Sequence, residues 1–383
     1  MSERKATTLV EHLSAIADPR SERTKWHKLR DILVIAVCAT ICGAESYPDM
    51  EEFGKDKEAW LRTFLELENG IPSHDTFRRV FMLIKPAEFQ RCFVNWVEGV
   101  AQLTDKEVVE IDGKQSRGSR RQNKQSKLQS EGLRMVSAWA VKNRLVLGQQ
   151  KTREKSNEIT AIPELLRLLS LKGCIVTIDA MGCQKEIVNQ IVAQEADYVI
   201  ALKGNQGNLH KGVAEYFTWA EKISFRELAY DYCETVEKGH GRIETRRCWV
   251  TEDVQWLAEK KDWAGLKSIV MVEAEREVIG KAVSVEKRYF ISSLGANAKE
   301  SLNAVRSHWQ IENSLHWVLD VVMREDECQI KDENAAANMA TLRHLTLNLL
   351  NQEQSCQRGV KGKRLKAAWN QDYLLKVLQV KMR

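Results

Sequence analysis

Glu107-Val108-Val109-Glu110-Ile111-Asp112-Gly113 is the stretch on which the fold turns. Val108, Val109 and Ile111 favour an extended chain, and Asp-Gly marks its end, so one carboxylate is delivered to a strand terminus. Cys174-Ile175-Val176-Thr177-Ile178-Asp179-Ala180 repeats the design and delivers Asp179. A strand-ending aspartate before glycine or alanine also serves as a turn former or helix N-cap. Taken alone, each aspartate carries both readings.

Working outward, alternation predicts strands over Leu133–Val141 and Arg144–Gln150, joined by a Lys142-Asn143 turn. A helix follows over Glu158–Leu171, with Pro163 in its first turns. Next come the Cys174–Asp179 strand, a helix over Gln184–Glu195, a strand over Tyr198–Leu202 and a helix from Asn205 to Trp219. Three meandering strands followed by right-handed crossovers predict a five-stranded mixed sheet with helices on both faces, the ribonuclease-H-like order. In that order the first strand is central and the fourth lies parallel beside it, so Asp112 and Asp179 meet at neighbouring strand ends. Adjacent carboxylates repel unless a cation lies between them. All-oxygen ligands favour Mg²⁺ or Mn²⁺. A two-metal site, its ions roughly 3.5–4 Å apart, suits phosphodiester displacement and needs a third carboxylate. Glu312 is the best placed, with Asp320 and Glu325-Asp326-Glu327 behind it; a glutamate on a helix surface is also common without any role.

The rest of the chain frames this core. Residues 1–103 are predicted helical, with helices over Leu29–Cys42, Asp49 to about Leu67, from Ser73 and from Lys85-Pro86. Arg78 and Arg79 face outward after Ser73, either as a recognition helix or as a solvated face. Alternating segments over about 228–295 predict a β-rich insertion. A long helix over Asn297–Val322 carries Trp309, Glu312 and Trp317, both tryptophans mainly core. Ala335–Leu350 is another helix, and residues 353–383 form a basic tail. The catalytic region is thus expected over 104–352.

The 383 residues carry a net charge of +5, compatible with a nucleic-acid partner without requiring one. The basic residues cluster: Lys114, Arg117, Arg120, Arg121, Lys124, Lys127 and Arg134 face one acid, Glu131. A run of this kind directly after Asp112 suits phosphate contacts. The nine cysteines include no Cys-x-x-Cys pair and read as reduced residues of a cytoplasmic protein. The longest apolar run is too short to span a bilayer.

Several longer motifs narrow the field. Ile111-Asp112-Gly113-Lys114, Lys155-Ser156-Asn157-Glu158-Ile159, Asp179-Ala180-Met181-Gly182-Cys183-Gln184, Ala201-Leu202-Lys203-Gly204-Asn205-Gln206, Gly239-His240-Gly241-Arg242 and His308-Trp309-Gln310-Ile311-Glu312-Asn313-Ser314-Leu315-His316-Trp317 together resemble the H-repeat-associated, Rhs-linked insertion-sequence transposases of the DDE superfamily. The resemblance covers nearly the whole chain. It implies a ribonuclease-H-like domain with the triad Asp112, Asp179 and Glu312 as catalytic and metal-binding residues. It also implies Mg²⁺ or Mn²⁺, cleavage at element ends, strand transfer into target DNA, and a homodimer on DNA. Relatives place Tyr, Arg and Lys around the catalytic Glu; here His308 and Leu319 stand four before and seven after it, so His308 or the nearby Arg306 is expected to replace the arginine in touching phosphate and His316 to do part of the lysine's work. Lys203, Asn205, His240 and Arg242 are further candidates for DNA, each with a plain turn as the other reading. One of Trp309 and Trp317 is a candidate for base stacking. A nuclease that does not join, or an inactive DNA-binding relic, are the alternatives.

Overall fold

The computed structural model describes residues 9–119, 132–152, 158–239, 241–280 and 282–378. Among them the β-branched, alternating runs become nine strands: β1 (Val108–Gln115), β2 (Arg134–Ala140), β3 (Leu145–Lys151), β4 (Ile175–Ile178), β5 (Asp197–Leu202), β6 (Asp231–Gly239), β7 (Arg242–Thr251), β8 (Ser268–Val278) and β9 (Ser284–Ser292). They form one mixed sheet in the order β3-β2-β1-β4-β5-β9-β8-β7-β6. The alternating segments predicted as an insertion therefore extend the sheet. β9 runs antiparallel along β5, from Val199 opposite Ser292 to Leu202 opposite Tyr289, and gives its edge a partner.

The described residues pack as two compact units, one within Met1–Gln102, Gly113–Ser156 and Glu312–Arg383, the other within Leu103–Asp112 and Asn157–Ile311. In the first, helix Leu29–Cys42 is apolar all round and almost wholly buried. Gly43, at φ 118°, ends it in a left-handed conformation that glycine adopts without strain. Ser46 and Asp49 form a capping box on helix Tyr47–Asp56, and the Ser73 hydroxyl accepts from the Thr76 N–H to start helix His74–Leu83. The amphipathic run predicted to about Leu67 is interrupted at Lys57 and ends as the short helix Glu58–Leu61.

Helix Glu333–Gln352 is buried along most of its length despite its polar residues. Two of its buried asparagines bond to neighbouring backbone, while the His344 ring nitrogens and the Thr346 hydroxyl have no partner among the described residues. Asn338 Nδ2 donates to the carbonyls of Phe81 (2.9 Å) and Ile84 (2.8 Å). Asn348 accepts from the Val146 N–H and donates to the Val146 carbonyl, both at 2.8 Å, so a side chain completes the ladder of edge strand β3.

In the second unit β1, β4 and β5 run parallel through apolar surroundings on both faces, with Ile111, Ile175, Val176, Ile178, Tyr198 and Ile200 buried. Helices Glu158–Leu166, Lys185–Ala193, Gly207–Lys222 and Ala298–Ser307 belong to it. The single helix predicted over 297–322 does not form: the α-helix stops at Ser307, and the chain continues in π turns over Glu312–His316 and Val318–Val322. All nine cysteines are free. No helix among the described residues is long and apolar enough to cross a membrane.

Candidate active site

Asp112 and Asp179 owe their placement to backbone register. β1 and β4 pair in parallel without a slip, from Val108 opposite Ile175 to Ile111 opposite Ile178. Asp112 and Asp179 follow the last of these pairs, so two half-buried carboxylates take adjacent positions; Asp179 directly follows β4, but Asp112 does not end its strand as its Asp-Gly step predicts, because β1 continues to Gln115. Asp179 is also a cap. Its Oδ1 accepts from the N–H groups of Met181 (2.9 Å) and Gly182 (3.2 Å), which fixes the turn Ala180–Gly182. Capping engages one oxygen, so the cap and ligand readings are compatible. Asn205 Nδ2 donates to the Ala180 carbonyl at 2.6 Å and ties the turn after β5 to the turn after β4.

Sequence reasoning passed over Glu110. It sits two residues before Asp112 on the same strand face, fully buried, with neither oxygen in a hydrogen bond of normal geometry among the described residues. Burial pushes its carboxyl up to about 9; the neighbouring Asp112 adds to the rise, and the nearby Ile311 N–H opposes it without offsetting it. A glutamate inside a strand that otherwise reads as buried was the available signal.

Glu312 belongs to the other unit and is placed differently. It opens the first π turn with an exposed side chain, its carboxylate 3.4 Å from Nδ1 of His316. π turns of this kind are frequent at functional sites. His316 is buried, and burial lowers its pKa while Glu312 works the other way.

Downstream, a charge cluster fixes the chain that follows. Lys114 Nζ lies 2.6 Å from Asp320 and 2.8 Å from Glu325, and Arg343 lies 3.8 Å from Glu325. Burial opposes charge on Lys114 and Glu325 alike. Their mutual attraction outweighs it, holding the lysine above and the glutamate below its ordinary range. Ser116 Oγ donates to the Glu325 carbonyl at 3.3 Å and the Arg117 N–H to Asp326 Oδ1 at 3.0 Å. Gly118 permits this approach: a Cβ there would fall 2.5 Å from the carbonyl oxygens of Asp326 and Cys328.

The remaining predicted residues lie on separate elements of both units. Arg78 and Arg79 are exposed on helix His74–Leu83, Arg78 lying 3.1 Å from Asp75. Arg117, Lys203 and Arg242 are exposed, and Lys114 is engaged internally. His308 Nδ1 is 3.4 Å from the Thr177 hydroxyl of β4. Trp309 and Trp317 are not core residues: they are 53% and 54% exposed, because the helix expected to bury them is broken on either side. The Arg288 guanidinium lies over the Trp309 ring at 4.9 Å. Arg120, Arg121 and His240 lie outside the described residues.

Comparison with known proteins joins these features. The family described as Transposase DDE domain matches residues 103–349, and the one described as DDE_Tnp_1-associated matches residues 10–97. YhhI of Escherichia coli K12, whose name places it among H repeat-associated transposases, is 42% identical over 97% of each chain. YncI of E. coli O157:H7, also named for transposase activity, is 42% identical over 97% of this chain and 94% of its own. A piggyBac transposase solved by cryo-EM as a synaptic complex with hairpin DNA aligns over 97% of this chain and 79% of its own, at a TM-score of 0.44 and 10% identity. The matched region runs from the start of β1 through Glu312 and into helix Glu333–Gln352, and on that match the chain belongs to the DDE transposases.

Proposed function

We propose that this transposase hydrolyses the phosphodiester at the ends of a bacterial insertion sequence and joins the freed 3′-hydroxyl to target DNA, with Asp112, Asp179 and Glu312 as its metal-binding catalytic acids. The observation that supports this most is the unshifted parallel register of β1 and β4, whose last pair, Ile111 and Ile178, is followed on each chain by an aspartate. Chain continuity supports the third acid: the Ile311 N–H lies by the buried Glu110 of β1, and Glu312 is the next residue.

The donor set fits a hard divalent cation, Mg²⁺ or Mn²⁺, because it consists of carboxylate oxygens, one within strand β1 and one on the capped turn after β4. Such a cation, when bound, supplies the charge that activates the attacking oxygen and stabilises the leaving one. The protein's own contribution is positional. The ladder holds Asp112 and Asp179, the Ala180–Gly182 turn fixes one Asp179 oxygen, and the Lys114 cluster anchors the chain after Glu312.

In this reading β3-β2-β1-β4-β5 is a five-stranded ribonuclease-H-like core and β6–β9 the insertion. Residues 1–103 form a helical DNA-binding domain, 104–352 the catalytic domain and 353–383 a basic tail. Arg78, Arg79, Arg117, Lys203, Arg242 and His308 are phosphate contacts, which orient DNA without reading its sequence. A homodimer in the bacterial cytoplasm would hold two element ends together.

The test is strand transfer of pre-cleaved end DNA into a target plasmid with Mg²⁺. Joined product is expected from the wild type and none from Asp112→Ala or Asp179→Ala. Full activity in either variant would sink the assignment. Cleavage without joining would make the protein a nuclease, and DNA binding alone would make it a relic.

A further inference from the structure

Two thiols far along the sheet from Asp112 and Asp179 are set up for chemistry of their own. Cys233 on β6 and Cys248 on β7 stand directly opposite each other in an antiparallel ladder. Opposed residues there have Cα atoms about 4.5 or 5.5 Å apart, depending on the hydrogen-bonding position, and both spacings lie inside the range a disulfide spans. Both cysteines are free; Cys233 is half-buried and Cys248 fully buried. The neighbouring Cys248 thiol draws the half-buried Cys233 below the ordinary thiol range, while Cys233 and burial push Cys248 up. By contrast, burial pushes Cys42, Cys92 and Cys183 up to about 12.

We propose that Cys233 and Cys248 form a reversible cross-strand disulfide by exchange with a low-molecular-weight disulfide. The Cys233 thiolate attacks one sulfur of the small disulfide, forming a mixed disulfide and expelling one thiolate. Cys248, as its thiolate, then attacks the Cys233 sulfur and expels the second. Two protein thiols become one disulfide, and one small disulfide becomes two thiols. The bond clamps edge strand β6 to its neighbour. β6 carries Asp231, whose Oδ2 accepts from the Ala298 N–H at 2.7 Å, and Glu237, which pairs with Arg306. Oxidation thereby stiffens the strand that holds both ends of helix Ala298–Ser307. This inference stands apart from the reaction proposed above.

The test incubates the full-length protein with oxidised glutathione and reads intact mass and non-reduced peptides. Wild type should lose two hydrogens and yield a peptide linking residues 233 and 248, reversed by dithiothreitol. Cys248→Ser should stop at the glutathione adduct on Cys233, and Cys233→Ser should give neither product at these positions. Wild-type protein that gains adducts without the 233–248 link, or Cys233→Ser protein that oxidises as wild type does, would overturn the proposal.

Discussion

The β1–β4 ladder that carries Asp112 and Asp179 and the π turn that carries Glu312 position a carboxylate by different physics. At the ladder the backbone does it: paired residues on β1 and β4 fix where the next side chain falls, whatever surrounds it. At Glu312 the local backbone is irregular, and the chain beyond is held by buried charges that Lys114 must satisfy. A ladder tolerates substitution of the acids it presents. A buried charge cluster does not, because removing one partner leaves the other desolvated and unpaired. The first region is therefore where function can be removed without stability, and the second is where stability fails first.

The largest expected effect is on the ladder. Asp112→Asn and Asp179→Asn should lower DNA cleavage about a thousandfold or more, since several kcal/mol of transition-state stabilisation go with the ligand. Their melting temperatures should stay near wild type. Asp179 offers a sharper form of this test, because asparagine caps as well as aspartate whereas alanine costs about 1 kcal/mol. An active Asp179→Asn protein would leave this residue only its cap.

In the charge cluster, Lys114→Met should cost about 3–5 kcal/mol in urea denaturation, because Glu325 and Asp320 lose their counter-ion. Adding Glu325→Gln should recover part of that loss. Unchanged stability in the single variant would show that the cluster anchors nothing.

His344 gives the same unit a pH response. It is fully buried, and neither ring nitrogen has a hydrogen-bond partner among the described residues. Burial depresses its pKa to about 4, partly opposed by Glu325. Above pH 6.5 neither folded nor unfolded chain binds the proton. As pH falls from there toward 4 the unfolded chain binds it first, so stability drops, by at most about 3 kcal/mol. His344→Leu should flatten this part of the stability profile between pH 7 and 4.5; an unaltered profile would assign the drop to other groups. Smaller still, Gly118→Ala should cost about 1–3 kcal/mol by pressing a methyl against the Asp326 and Cys328 carbonyls.

The same contrast explains what could be read from the sequence. Val108, Val109, Ile111 and Ile175–Ile178 announce strands because β-branching and alternation are local properties, and the order of strands and helices then places β4 parallel to β1. Glu312 was recognised by its motif, but the π turns around it were not legible. The α-helix predicted through it stops at Ser307, and the two tryptophans expected in the core stand exposed. Lys114 reads as one more base in a basic run, since only the fold reveals Asp320 and Glu325 beside it. The pairing of β9 with β5 was hidden for a related reason. Alternation identifies a strand without naming its neighbour.

The most direct measurement is Mn²⁺ affinity by electron paramagnetic resonance, compared across wild type, Asp112→Asn, Asp179→Asn and Glu312→Gln. If the two ladder acids and the π-turn acid serve one metal site, each substitution should weaken Mn²⁺ binding by about tenfold or more. Equal affinity in all four proteins would contradict the account.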